Sequence, residues 1–448
     1  MASAVEQFAA NLNFGALAKA EELKQRLWFT LGALIIFRIG TYIPLPGIDP
    51  HVWQQIFQQK SGGVLDMFDM FSGGALHRMS IFSLNIMPYI SASIIIQLLT
   101  SMNPRLEAMK KEGEAGRKKL NQYTRYFTIV LSVIQAYGLA VGLENMQGSS
   151  GSAVISAGIF FRISTIITIV GGTIFLMWLG EQITARGVGN GTSLIIFSGI
   201  VAGIPRAVAG TLALGREGAI SSLTIIGMLV MVAAVVGFIV FMERAQRRVV
   251  VQYPKRMVGN RMSGGDASHM PLKMNTSGVI PPIFASSLLL LPLTIVGFSG
   301  AGGGNEIMDA VSRYMQHGQP AYMVLYGALI VFFAFFYTAI VFNPDETAEN
   351  LRKYGGFVPG IRPGKSTADY LDYVLTRITV IGAAYLVFVC LLPEVLIAKF
   401  SLPFYFGGTS LLITVSVMMD TVAQIHSHLI AHQYEGLIKK SKLRGSRK

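Results

Sequence analysis

GGVLDMFDMFSGGALHRMSIFSLNIMPYISASIIIQLLTS, residues 62–101, sets a short apolar piece before a glycine pair and a long apolar piece after it. The short piece, Val64 to Phe71, is under about three helical turns and carries Asp66 and Asp69, whereas crossing a hydrocarbon core takes about 20 predominantly apolar residues. It cannot span alone. The long piece, Met79 to Ser101, is long enough, yet it contains Ser80, Ser83, Asn85, Pro88, Tyr89, Ser91, Ser93 and Gln97. A lipid-facing helix gains nothing from so many polar groups, so part of it is expected to face water or protein. Ile86 and Ile90 stand four apart, hence on one helix face. The pair fits either a greasy constriction in a wet passage or ordinary helix packing, and this stretch alone leaves both open.

The same alternation of apolar blocks and polar loops runs through all 448 residues, which are 52% hydrophobic and 14% charged. That is more apolar length than one soluble core needs and predicts an all-α polytopic membrane protein. Ten spans are expected, near 27–43, 79–101, 126–143, 163–180, 191–209, 220–242, 275–297, 321–342, 378–397 and 409–431. An even number puts both termini on one side. That side holds 29 of the 37 Lys and Arg, the other side six, and Arg38 and Arg206 lie in spans, so both ends and the large basic loops are expected in the cytoplasm. The formal charge of +13 is therefore mostly cytoplasmic and suits anionic headgroups and an acidic partner.

Residues 1–26 read as an amphipathic cytoplasmic segment and the first span as retained rather than cleaved. The spans divide at a hinge loop, 210–219, into halves 27–209 and 220–431, followed by a basic tail, 432–448. Five spans is an odd number, so the second half enters from the opposite face, as inverted repeats around a central site do. Loop 102–125 reads as a solvated basic connector, and QGSSGSAVISAG as a flexible surface loop. Within loop 243–274, RRVVVQY alternates as a short hairpin strand does; loop 343–377 starts like a helix and has a Gly/Pro-rich tip. Loops of this kind are where a soluble partner docks.

Chemistry-bearing motifs are sparse. GIRPGKS, 360–366, has Pro359 where a phosphate-binding loop needs glycine. His428 and His432 lie four apart without the glutamate of a metalloprotease helix, and read as an end-of-helix surface pair. No Ser-based nucleophile constellation emerges, and the lone Cys390 cannot form an internal disulfide. No catalytic residue, metal site or cofactor is expected. Ionisable groups inside spans are few, Arg38 and Asp420 among them with Glu181 at the inner edge of the fourth span, too few for a proton or sodium relay, and Asp420 has either Gln424 one turn on or another helix as a structural partner.

Several stretches, FSGGALHRMSIF, NIMPYISASIIIQLL, KKEGEAGRKK, FLMWLGEQIT, GNGTSLIIFSGIVAG, GVIPPIFASS, NPDETAENL, GFVPGIRPG and PFYFGGTSLLI, occur in order along nearly the whole chain. Together they closely resemble the bacterial SecY family of protein-conducting channel subunits. The resemblance implies ten helices in two pseudo-symmetric inverted five-helix halves around a central pore, passing unfolded secretory polypeptides across the cytoplasmic (inner) membrane or sideways into lipid. It implies a plug at about 64–72 (Val64, Leu65, Asp66, Met67, Phe68, Asp69, Met70, Phe71). It further implies a pore ring of Ile86, Ile90, Thr192, Ile196, Ile283 and Ile413, with Thr192 where the family commonly has an aliphatic residue. A lateral gate between spans two and seven would carry Ser91, Gln135 and Asn275. Motor and ribosome docking would use Arg247, Arg248, Arg261 and Arg362, with Asn260 and Asp345 less basic than the family pattern. The implied partners are SecE and SecG in the membrane, the SecA ATPase, a translating ribosome, signal sequences and unfolded chains, and membrane lipids. From the residues alone, the competing reading is a secondary transporter with inverted repeats; an intramembrane hydrolase lacks a reactive group.

Overall fold

The computed structural model describes residues 20–59, 69, 71–145, 147–148, 151–218, 221–253, 256–258, 261–263, 267–298, 319–400 and 408–445. The expected amphipathic segment therefore lies outside the described residues except for positions 20–26, and the expected plug segment except for Asp69, Phe71 and Ser72.

The first half is built from α1 (Glu21–Gly40), α2 (Pro50–Gln59), α3 (Met87–Met102), α4 (Pro104–Lys111), α5 (Glu114–Asn145), the two-residue strands β1 (Gln147–Gly148) and β2 (Gly151–Ser152), α6 (Ile159–Arg186) and α7 (Gly191–Arg216). The second half has α8 (Ser222–Arg244), β3 (Gln246–Gln252), β4 (Arg256–Val258), β5 (Arg261–Ser263), β6 (Ala267–Lys273), α9 (Ile280–Phe298), α10 (Pro320–Val341), α11 (Pro344–Lys353), α12 (Lys365–Phe400) and α13 (Gly408–Gly445). Among the described residues seven helices are long and apolar enough to cross a membrane: α5, α6, α7, α8, α10, α12 and α13, while Met87–Met102 (α3) and Ile280–Leu289 of α9 are shorter apolar stretches.

Helix starts follow local chemistry. Asn103 and Asn343 each precede a proline that occupies the first helical turn, and their side-chain oxygens accept from Arg105 N at 3.0 Å and from Asp345 N at 3.1 Å. Asn190 caps α7 through Thr192 N at 3.1 Å, and Ser221 caps α8 through Leu223 N at 3.4 Å. Ion pairs clamp the α5/α6 hairpin at both ends. Arg125 grips Glu181 with two bonds of 2.7 and 2.8 Å, and Glu144 takes Arg162 Nε at 2.7 Å and Gly158 N at 3.0 Å.

Several sequence boundaries move. Residues 79–86 form turns, with Met79 and Asn85 in the left-handed region, so the second span is helical only from Met87, where Pro88 presets the first turn. The basic connector is itself helical, as α4 and the first part of α5, because it is rich in Glu, Lys, Arg and Ala. The Gly/Ser stretch is partly built in: Asp49 N donates to Ala153 O at 2.9 Å, and Ala153 and Val154 are buried. The hinge loop shrinks to the turn after Arg216, since TLALGR continues the helix to its cap at Glu217. His428 stands inside α13 rather than at its end, because the helix runs through the basic tail to Gly445. RRVVVQY does form a strand: β3 pairs antiparallel with β6 from Gln246↔Lys273 to Gln252↔Ala267.

The helices assemble around one large apolar cluster. In the first half α5 lies between α3 and α6, and α6 packs on α1 and α7; in the second, α10 lies between α9 and α12, and α13 packs on α8 and α12. The halves meet along two seams, α9 against α3 and α5, and α13 against α7 and α1.

Candidate functional site

The six ring candidates come from four helices on both halves. Ile86 is the N-cap of α3, Ile90 lies one turn on, Thr192 and Ile196 open α7, Ile283 is in the first turn of α9 and Ile413 in the second turn of α13. All five isoleucines are buried in the same apolar cluster, Ile86 and Ile413 at 0% exposure and Ile283 at 8%. Ile90 N donates to Ile86 O at 3.1 Å, which keeps the two side chains on one face. Thr192 joins them through its methyl. A Cβ placed on Gly180 would lie 3.4 Å from Thr192 Cγ2, 3.5 Å from Ile195 Cδ1 and 3.6 Å from Ile86 Cδ1. Its hydroxyl donates to Asn190 Oδ1 at 2.6 Å, so the polar end is turned into the N-cap.

Beside this cluster the chain from Phe71 to Gly73 is pinned. Asn85 Nδ2 donates to Phe71 O at 2.5 Å, Arg38 Nη1 to Gly73 O at 2.6 Å and Arg78 Nη2 to the same oxygen at 3.1 Å. Arg78 also lies 4.0 Å over the Tyr42 ring. Gly199 of α7 makes room for this segment, since a Cβ there would stand 2.7 Å from Phe71 O. Gly73 and Gly74 adopt φ of +68° and +83°, a conformation that favours glycine. Arg38, noted in the sequence as an isolated charge in a span, thus has a carbonyl to hold.

Ser91 on α3 is buried and Gln135 on α5 half-buried, and these are the two helices that meet α9. Asn275, just before α9, is 2% exposed, and its Nδ2 donates to Glu243 Oε1 at 2.6 Å and to Gly278 O at 3.0 Å. Glu243 escaped the sequence reading because it sits at the boundary assigned to a loop. The signal was an acid closing the long apolar run of α8 directly before a strand. Gln424, expected beside Asp420, instead accepts from Gly189 N at 2.9 Å across the rear seam.

The two large loops of the second half form one body. Gln252 and Phe357 exchange backbone bonds of 2.9 Å in both directions, and Val249, Leu272, Val358, Val374 and Ile378 share a small core. Arg247 and Arg248 are exposed on β3, Arg362 is exposed at the tip between Gly360 and Gly364, and Arg261 lies in β5; Asn260 is outside the described residues. The Arg362 carbonyl accepts from Thr367 Oγ1 at 3.0 Å, which ties the tip to the start of α12. In the first half, Glu107 and Lys111 pair at 2.8 Å on α4; hydrogen bonding and charge attraction hold the Glu107 carboxyl below its ordinary range and the Lys111 amine above its own.

The family model described as SecY matches residues 80–422. The protein translocase subunit SecY of Rickettsia typhi is 55% identical over 425 residues, covering 95% of this chain and 98% of that protein. Its counterpart in Escherichia coli K12 is 55% identical over 424 residues, covering 95% and 96%. A solved structure described as a protein-conducting channel has the same fold, with a TM-score of 0.64 at 19% identity over 90% of this chain and 92% of that one. The chain therefore belongs to the SecY family, the channel subunits of protein translocases: a multi-pass inner-membrane protein that conducts polypeptide and is not an enzyme.

Proposed function

We propose that Ile86, Ile90, Thr192, Ile196, Ile283 and Ile413 form the constriction through which the polypeptide passes. The observation that supports this is that the five isoleucines, from four helices of both halves, are all buried in the one large apolar cluster, and that Thr192 and Ile86 both border Gly180. Apolar walls offer no hydrogen bonds by which one residue of a passing chain could be favoured over another, and a narrow apolar throat resists filling with water. Such a ring seals around any sequence and binds none.

The same reading takes α1, α3, α5, α6 and α7 as one five-span half and α8, α9, α10, α12 and α13 as its inverted counterpart, with both termini in the cytoplasm. The segment 64–72 acts as the plug, displaced when a chain enters. The seam of α9 with α3 and α5, carrying Ser91, Gln135 and Asn275, is the lateral gate. When it parts, a segment samples lipid. On insertion scales each central Leu or Ile contributes about −0.3 to −0.6 kcal/mol and a charge costs about 2.5–3.5, so twenty apolar residues outweigh one charge but not several. The gate need only open, and partitioning decides.

The energy comes from partners. The shared body of the two cytoplasmic loops, with Arg247, Arg248, Arg261 and Arg362, docks a SecA-type ATPase or a ribosome, whose RNA suits a basic surface. SecE and SecG complete the complex in the membrane. Crosslinking tests the core of this reading: cysteine at Ile86 or Ile283 traps an arrested secretory chain. Should neither position contact one while both are reached by a small solute, a secondary transporter is the better account.

A further inference from the structure

Glu243 stands in the last turn of α8, just before the hairpin of β3 and β6 that leads to α9. We propose that Glu243 is a positioning residue of the lateral gate, its carboxyl group holding the Asn275 amide toward α8 and thereby fixing where the root of α9 stands against α3 and α5. This rests on the gate assignment given under Proposed function.

The backbone prepares the contact. β3 and β6 pair up to Gln246↔Lys273, and Met274 N then donates to Ala245 O at 2.9 Å. The bond from Asn275 to Glu243, 2.6 Å, is the next rung, at the point where the hairpin opens into two helices. The rest of the Asn275 side chain is also engaged, through Gly278 O at 3.0 Å and Ser277 Oγ, which donates to Asn275 Oδ1 at 3.2 Å. From the opposite side α12 closes the pocket, where a Cβ on Gly382 would stand 2.7 Å from Met274 O. The root has no slack.

A buried amide must find an acceptor, and the Glu243 carboxyl oxygen supplies one at 2.6 Å from the side of α8, whereas Ser91 and Gln135 lie on the helices across the seam. Glu243 therefore decides which way Asn275 points. Ser416 and Asp420 of α13, Lys273 at the end of β6 and Tyr385 of α12 are the polar groups whose fields reach the Glu243 carboxyl from the neighbouring elements. Residues 281–287 of α9 are buried on every side. A helix so enclosed parts from α3 and α5 by moving with its half, and an anchored root makes it do so.

The test uses the complete translocase in membrane vesicles and compares export of one reporter carrying a strong signal sequence with the same reporter carrying a marginally apolar one. Glu243→Ala and Asn275→Ala are each expected to raise the marginal-to-strong ratio about tenfold, and the double variant no further than the larger single effect. Asn275→Asp, which sets two acids face to face, raises it as well, and adding Glu243→Gln restores a donor and an acceptor and brings the ratio back to within about twofold of the parent. A parental ratio in Glu243→Ala beside a shifted Asn275→Ala, additive single effects, or no rescue by the paired variant would overturn the role of Glu243. Parental ratios in all Asn275 variants would instead remove Asn275 from the gate. A variant that exports neither reporter is decided by the rescue pair.

Discussion

Thr192 is the polar member of the proposed ring, and its hydroxyl has a partner close by. It donates to Asn190 Oδ1, and the Thr192 methyl borders Gly180, as Ile86 does. A polar residue at this position thus depends on Asn190. Asn190→Ala removes the N-cap of α7 and orphans the hydroxyl, costing about 1–2 kcal/mol, and is expected to raise resting ion leak through the purified channel in vesicles more than Thr192→Val does. Equal leak in the two variants would contradict this account. Gly199 is a second single-residue prediction. A valine there collides with Phe71 O, only 2.7 Å from the added Cβ, and displaces the pinned stretch from Asn85 and Arg38. Leak without substrate should rise, and Asn85→Leu, which loses the Phe71 bond and puts a branched side chain at φ +49°, should raise it too.

At the scale of elements, the α5/α6 hairpin is closed by two ion pairs of unequal exposure. The Glu144 side chain is 8% exposed, whereas Arg125 and Glu181 are 48% and 30% exposed. Glu144→Ala leaves Gly158 N and Arg162 without their acceptor and is expected to cost about 2–3 kcal/mol, while Arg125→Ala costs about 1 kcal/mol or less. Thermal inactivation of the detergent-solubilised protein should rank them in that order. The cytoplasmic body gives a functional prediction at the same scale. Arg362 stands exposed between two glycines with φ of +82° and +110°, on a tip fixed by its own backbone and by the Gln252–Phe357 bridge. Arg362→Glu reverses the charge of a preformed surface without touching its core. Motor-driven export should collapse while the amount of protein in the membrane stays the same, and normal export would take Arg362 out of the docking site.

For the whole molecule the consequential feature is that the two seams differ. Along the rear seam α13 meets α7 and α1, Gln424 holds Gly189 N, and Ala20, Leu23, Val188 and Leu429 form a separate apolar knot. Along the front seam α9 meets α3 and α5 at helices that carry polar side chains. A clamshell needs one seam to hold while the other parts. Gln424→Leu unsatisfies the Gly189 amide, a loss of about 1–3 kcal/mol, and should lower the inactivation temperature without changing which signal sequences are accepted. A disulfide tying α3 to α9 should instead leave the protein stable and abolish lateral release of apolar segments.

Much of this was legible in the residues. Long apolar blocks, the bias of Lys and Arg to one side, the strand alternation of RRVVVQY and the motifs of residues 62–101 follow from chain-local chemistry: burial in lipid needs apolar length, and a pleated strand needs period two. The stretch 62–101 also required, through its polar groups, a side that faces water or protein, but left Ile86 and Ile90 undecided between packing and constriction. No local pattern links that pair to Ile196, Ile283 and Ile413, with which they share the apolar cluster of the folded chain. Helix ends were misplaced where capping and tertiary contact outweigh hydropathy, as at residues 79–86, where turns held by Asn85 and Arg78 replace the first two turns of an expected helix. The sequence by itself determined the class of protein, its family and its apolar inventory. The tertiary structure alone decided which polar groups meet, Arg38 with Gly73, Gln424 with Gly189, Glu243 with Asn275, because a hydrogen bond is fixed by distance and direction between elements that folding brings together.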